Sequence, residues 1–120
     1  MNKLTLALAG SLLFAAGSLA QAADVEAGKT AFQKFNCASC HGADAKTPVS
    51  PAYPILAGQH QDYLSHALHA YKRGQAGAPA TANIRKNAIM GAMATPLADA
   101  DIANIAAWLS ALPGPLSIRK

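Results

Sequence analysis

The sequence predicts an all-α domain of three to four short helices joined by long loops, and three observations predict it. Apolar residues recur with a helical period over residues 25–35, 58–73 and 99–112. The connections between these stretches are rich in Gly, Ala and Pro. No stretch carries a convincing strand pattern, and no internal repeat is visible.

Before the first helix lies a segment of a different kind. Met1-Asn2-Lys3 gives a positive start, Leu4 to Leu19 is an uncharged apolar run, and Ala20-Gln21-Ala22 is an A-x-A cleavage pattern. These are the parts of a secretory signal peptide, residues 1–22, cut after Ala22. As a membrane anchor the run is short of the roughly 20 residues a spanning helix needs. Gly10, Ser11, Gly17 and Ser18 break it further. No stable membrane insertion is expected once it is removed.

Residues 23–120 then form one domain, near the size at which a lone hydrophobic core is only marginally sufficient. Its aromatics are limited to Phe32, Phe35, Tyr53, Tyr63, Tyr71 and Trp108, and much of the rest is Ala. Such a domain gains from a large apolar object to fold around. Without Lys3 it carries nine basic and six acidic residues. That balance, with no Lys/Arg block, gives a weak bias toward acidic surfaces, and nucleic acid is not an expected partner of an exported chain.

The elements follow in order. Val25 to Phe35 is the first helix, capped by Asp24 with Glu26 in its first turn. Gly42 to Ala57 contains Pro48, Pro51 and Pro54 and reads as an extended loop. Gly58 to Arg73 is the second helix: Tyr63, Leu64, Ala67, Leu68 and Tyr71 form its stripe, and Gly74 is expected to stop it. A short helix is expected over Ala82 to Met90. Asp99 to Leu112 is the last, with Ile102, Ile105, Ala106 and Leu109 inward and Pro113-Gly114-Pro115 after it.

Two cysteines stand in "NCASCH", residues 36–41. A disulfide over so short a gap contributes little by chain entropy. A redox dithiol belongs after a strand at a helix start, and no such strand is present. Structural zinc needs four ligands, and Cys37, Cys40 and His41 supply three at most. C-x-x-C-H is, however, the attachment signal for c-type haem, one group held covalently. Two thioethers fix the edge of the ring, and the next residue, His41, reaches the iron. Export is needed for this attachment, so the signal peptide supports it independently.

For the sixth position the candidates are Met90, Met93, His60, His66 and His69, besides an open site. The context "IMGAMATPL" of the two methionines lets backbone pass close to a ring face. Either methionine can also be packing. His66 and His69 share a helix at i, i+3, a spacing equally suited to solvated polar residues.

The stretches "CASCHG", "YPILAGQHQDYL" and "RKNAIMGAMATPLADADIANIAAWLSAL", in this order, resemble the class I c-type cytochromes. In particular they resemble one domain of the cytochrome c4 group and its single-domain c553-type relatives. The resemblance implies the cytochrome c fold, helices and long loops wrapped around one covalently bound haem c. It implies thioethers at Cys37 and Cys40 and a proximal iron ligand at His41. It also picks Met90 as axial ligand, the first of an M-x-x-M pair seven residues before Leu97, with Met93 as the alternative. A proline-loop carbonyl, matched by Pro48, orients the proximal imidazole, and Phe32 meets Trp108 where the first and last helices cross. The sequence departs from the pattern at Asp44-Ala45, where the family has D-G, in a proline loop one residue longer, and in the absence of a second haem domain.

The implied function is that of a periplasmic one-electron carrier of a Gram-negative bacterium, part of a respiratory chain. It would be a monomer or part of a small complex. With both axial positions filled, no site is open for substrate, so an enzyme is not expected. Partners are other redox proteins, docking briefly at the haem edge, with Lys72, Arg73, Arg85 and Lys86 available to steer an acidic one. The alternatives are a haem-bearing subunit of a specific dehydrogenase or other oxidoreductase complex, and a sensing haem protein with a labile sixth ligand.

Overall fold

The computed structural model describes residues 22–117, so the signal peptide expected over residues 1–22 lies almost wholly outside the described residues. Five α-helices follow in order: α1 Val25–Lys34, α2 Ala38–His41, α3 Gln61–Gln75, α4 Ala88–Ala94 and α5 Asp99–Ala111, with a 3-10 turn at Ala80–Ala82 before α4. No strand occurs among the described residues, and no helix there is long and apolar enough to cross a membrane.

Helix α1 starts as its sequence directs. Asp24 is extended, and its Oδ1 accepts the Ala27 N–H at 3.0 Å. Its own N–H donates to Asn104 Oδ1 at 2.8 Å, fastening the start of α1 to the middle of α5. Gly28, Ala31 and Phe32 form the buried face of α1. They meet Ile102, Ile105, Ala106, Trp108 and Leu109 of α5, all buried. Phe32 and Trp108 are 4.9 Å apart between ring centroids at 51°, a tilted pair of the favourable kind. The expected crossing of the first and last helices is present.

Asp101 anchors the start of α5 by accepting the Ala98 N–H at 2.9 Å, and two acidic residues in the first turn suit the helix dipole. At the other end of the chain order, Asn36 takes a left-handed φ of 58° that Asn tolerates, and this turns the chain from α1 straight into α2. The single turn of α2 carries the whole CxxCH after Cys37, a helix that the motif alone did not announce.

Two expectations are corrected. Helix α3 begins at Gln61 and runs through Gly74 to Gln75. Gly74 is a contact residue and does not stop the helix: a Cβ there would lie 2.1 Å from the Arg85 carbonyl oxygen, so only glycine lets that segment lie on α3. The short helix expected over Ala82 to Met90 is displaced to Ala88–Ala94. Asn87 sets its start, its side chain accepting the Met90 N–H at 2.9 Å.

The loop after α2 is ordered by two residues. Asp44 Oδ1 accepts the N–H groups of Lys46 and Thr47 at 2.9 and 2.8 Å, and Oδ2 accepts the Thr47 hydroxyl at 2.8 Å. Ala45, where the family pattern has Gly, adopts φ 53° and is fully buried. Its carbonyl accepts from both Leu56 and Ala57, folding the proline loop back on itself. The turn therefore survives the Gly-to-Ala departure, with the strain of a left-handed alanine offset by burial and these bonds.

The backbone N–H bonds from Lys46 and Thr47 hold the Asp44 carboxyl down to about 2. A depressed carboxylate contributes stability that is complete above its unfolded value near ~4 and is lost as the pH falls through the folded one. Asp44→Asn is accordingly expected to flatten the acid limb of a stability profile between about pH 4 and 2, measured by denaturant unfolding at each pH.

Candidate haem site

A cavity of about 420 Å³ opens between α2, the proline loop, α3, α4 and α5. That is within the range of about 300–1,000 Å³ typical of cofactor sites. Cys37, Cys40 and His41 line it from one end of the sequence, Met90 and Met93 from the other, and Leu64, Leu97, Ile105 and Leu109 supply apolar walls. The α3 stripe Tyr63, Leu64, Ala67, Leu68 and Tyr71 also faces this cavity, all five being lining residues.

His41 is buried, and its Nδ1 lies 3.0 Å from the carbonyl oxygen of Pro54. A carbonyl can only accept, so Nδ1 carries the proton and Nε2 keeps its lone pair. That is the tautomer a metal needs, fixed by an outer hydrogen bond. The carbonyl belongs to Pro54, which corrects the assignment to Pro48. The loop doubles back where Leu56 and Ala57 bond to Ala45, while Val49 N–H is bonded to the Cys40 carbonyl, so residue 54 is the one brought over the imidazole.

Cys37 and Cys40 are not joined to each other, and both are half-buried. Burial pushes the Cys37 thiol up, with the neighbouring Cys40 adding to the shift. Tyr53 stands edge-on to the His41 ring, 6.1 Å between centroids at 67°. The neighbouring Cys40 pushes the Tyr53 hydroxyl above its ordinary range. Met90 and Met93, one turn apart on α4, are both half-buried, so the fold brings both methionines to the cavity. Of the other candidates, His60 precedes α3 and is exposed, as is His66. His69 lies 3.9 Å from Asp99 across α3 and α5. None of the three lines the cavity.

Three of the four expected steering cations are tethered to neighbouring groups of the protein. Lys72 Nζ donates to the Leu97 carbonyl. Arg73 donates to Asn83 at 2.8 Å and Arg85 to the Tyr63 hydroxyl at 3.1 Å. Lys86 alone of the four is exposed.

Sequence reasoning missed Tyr53, Pro54 and the cavity position of Arg85. The Asn87 cap was detectable, because an Asn three residues before Met90 is an N-cap signal. Nothing in the sequence separates Pro54 from Pro48 or Pro51.

A helical chain that folds around such a cavity, with CxxCH at its wall, is a c-type cytochrome domain. The Cytochrome c family profile matches residues 25–113, and the chain belongs to that family. Its cofactor is haem c, and the donor set here fits it: two thiols, one imidazole with a free nitrogen, two thioethers and an apolar wall.

Among relatives, cytochrome c4 of Stutzerimonas stutzeri is 38% identical over 115 residues, 95% of this chain and 52% of that protein. Cytochrome c-554(548) of Halomonas halodenitrificans is 42% identical over 77 residues, covering 62% of this chain and 81% of that protein. A thiosulfate dehydrogenase electron acceptor of Stutzerimonas stutzeri is 35% identical, covering 66% of this chain and 32% of that protein. The crystal structure of reduced recombinant cytochrome c4 from Pseudomonas stutzeri aligns with TM-score 0.67 and 39% identity, over 78% of this chain and 47% of that one. The chain spans about half the length of the cytochromes c4 it matches.

Proposed function

We propose that this protein is a monohaem one-electron carrier of the periplasm, exported by residues 1–22 and functional as residues 23–120. Cys37 and Cys40 hold the cofactor by thioethers, His41 is the proximal ligand and Met90 the axial one. The observation that carries the reading is the Nδ1 bond of His41 to Pro54, which leaves Nε2 as the free nitrogen of a buried imidazole at the cavity wall. When bound, haem c supplies a one-electron couple, and a His/Met ligand pair places it at the high end of the range. The chain's own part is to fix the imidazole, exclude water with Leu64, Leu97, Ile105 and Leu109, and present the open side of the cavity to a partner. With both axial ligands from the protein, its role is electron transfer and not catalysis.

Intact mass and absorption spectra of protein purified from the periplasm test this. The expected result is the mass of residues 23–120 plus one haem, with Cys37→Ala and Cys40→Ala each yielding a single thioether or no folded product. A mass without haem, or with residues 1–22 retained, would overturn the corresponding part.

A second reading is favoured by the relatives named as electron acceptors of thiosulfate dehydrogenase: this chain would be the haem-bearing partner of one particular oxidoreductase. Stable co-purification with a single enzyme supports it. A monomer that exchanges electrons with several redox proteins supports the free carrier instead.

A further inference from the structure

The segment that carries both methionines, residues 85–99, is fastened to α3 at its two ends by bonds of different kinds. At its start the fastening is backbone. The Arg85 N–H donates to the Ala70 carbonyl at 3.0 Å, and Gly74 admits the Arg85 carbonyl where a Cβ would not fit. At its far end the fastening is made by side chains. Lys72 Nζ donates to the Leu97 carbonyl, and one turn earlier on α3 His69 Nδ1 lies 3.9 Å from Asp99 Oδ1. Between the two ends Gln75 lies against Gly91, where a Cβ would stand 2.5 Å from its Oε1.

The two side-chain contacts at the far end are unequal. The Asp99 side chain is 88% exposed, so its pairing with His69 is a surface one that contributes little. Lys72 is half-buried, its stem on the protein and its ammonium on a carbonyl, a charge-assisted bond of the stronger class. Leu97 is itself coupled to the helix before it, because its N–H donates to the Ala94 carbonyl at 3.2 Å. Holding Leu97 therefore holds the last turn of α4. That helix has seven residues, fewer than the roughly 12 at which isolated helices become even marginal in water, so its place depends on what it is fastened to.

We propose that Lys72 is a latch on the axial-ligand segment: a positioning residue outside the cavity that keeps α4 and its methionine seated by tying Leu97 to α3. The inference rests on the haem reading above. It does not depend on which methionine binds, since Met90 and Met93 share α4. With Leu97 released, α4 leaves the cavity more often. A small nitrogen base from solution can then replace the methionine sulfur on the iron, one coordinate bond breaking and one forming with no change of oxidation state.

Imidazole titration of the oxidised holoprotein at pH 7, followed by loss of the Met–iron absorbance band, tests the latch. Wild type is compared with Lys72→Met, Lys72→Arg and Lys86→Met. Methionine keeps the length of the lysine stem and removes the donor. The loss of one charged donor at a half-exposed site is expected to tighten apparent imidazole binding roughly three- to thirtyfold, by raising the fraction of open molecules. Lys72→Arg can still donate to the same carbonyl and stays near wild type. Lys86, exposed on the same segment, controls for charge, and Lys86→Met is expected to bind imidazole as wild type does.

Native-state hydrogen exchange of the same holoproteins gives a readout independent of imidazole. In Lys72→Met the amides of residues 88–95 exchange faster by a similar factor, while those of α1 and the middle of α5 keep their wild-type protection. Wild-type imidazole affinity and exchange in Lys72→Met would overturn the latch. Faster exchange spread equally over α1 and α5, or failure of this variant to fold, would reject it in favour of a role in the fold as a whole. An equal gain in affinity in Lys86→Met would reduce the effect to charge and also reject it. A wild-type protein with no covalent haem would overturn the haem reading itself, and the latch with it.

Discussion

Gly28→Ala is expected to lower the stability of the folded holoprotein by about 3 kcal/mol or more. The added Cβ would stand 2.0 Å from the Asn104 carbonyl oxygen, 2.5 Å from its carbon and 2.8 Å from the Trp108 Cβ. Two of these three atoms are backbone of α5, so no rotamer change relieves the clash and the helices must separate. Separation loosens the Phe32–Trp108 pair and the Asp24–Asn104 bond together. The gain in helix propensity from Gly to Ala, about 1 kcal/mol, does not offset this. For a domain with a total stability of about 5–15 kcal/mol the loss is large. Thermal unfolding checks it, with Tm expected to drop by roughly 10 °C or more. A midpoint equal to wild type would show that the crossing accepts a methyl group.

The second large effect is expected at α4. Met90→Ala should abolish the Met–iron band of the oxidised protein and lower its reduction potential by roughly 0.1 V or more, since axial ligand identity is the strongest lever on a haem couple. Met93→Ala should keep the band and cost about 1–3 kcal/mol through lost packing. Both side chains line the cavity one helical turn apart, so their positions alone do not choose between them. The difference lies in anchoring. Met90 has its N–H bonded to the Asn87 side chain, and Asn87 follows closely on the segment pinned to α3. Loss of the band in Met93→Ala and its survival in Met90→Ala would reverse the assignment.

How much was legible in the sequence depended on what each element packs against. Helices α1 and α5 bury their apolar faces on each other and carry local start signals at Asp24, Asp99 and Asp101, and their ends fall within a residue or so of expectation. The CxxCH was legible as a motif, because it is a local chemical requirement and not a matter of packing, and the fold places Cys37, Cys40 and His41 at the cavity wall. What failed was decided at long range. Gly74 looks like a helix stop unless it is known that Arg85 lies across it. The helix expected before Met90 was placed too early because its apolar residues were read without the Asn87 cap. Three prolines in one loop are equivalent on paper, and only the fold of that loop around Ala45 selects Pro54.

The direction in which α3 turns its apolar stripe has a consequence for how the chain comes together. Among its 15 residues only Leu64 and Ala70 are buried by protein, whereas α5 buries six of 13. Local opening follows such differences, since the least buried units come apart at the lowest free energy. The α1–α5 clasp, with Cys37 and Cys40 beside it, is therefore expected to be the last part to open. The α3–α4 side is the shell expected to open first, its firmness depending on what fills the space beneath it.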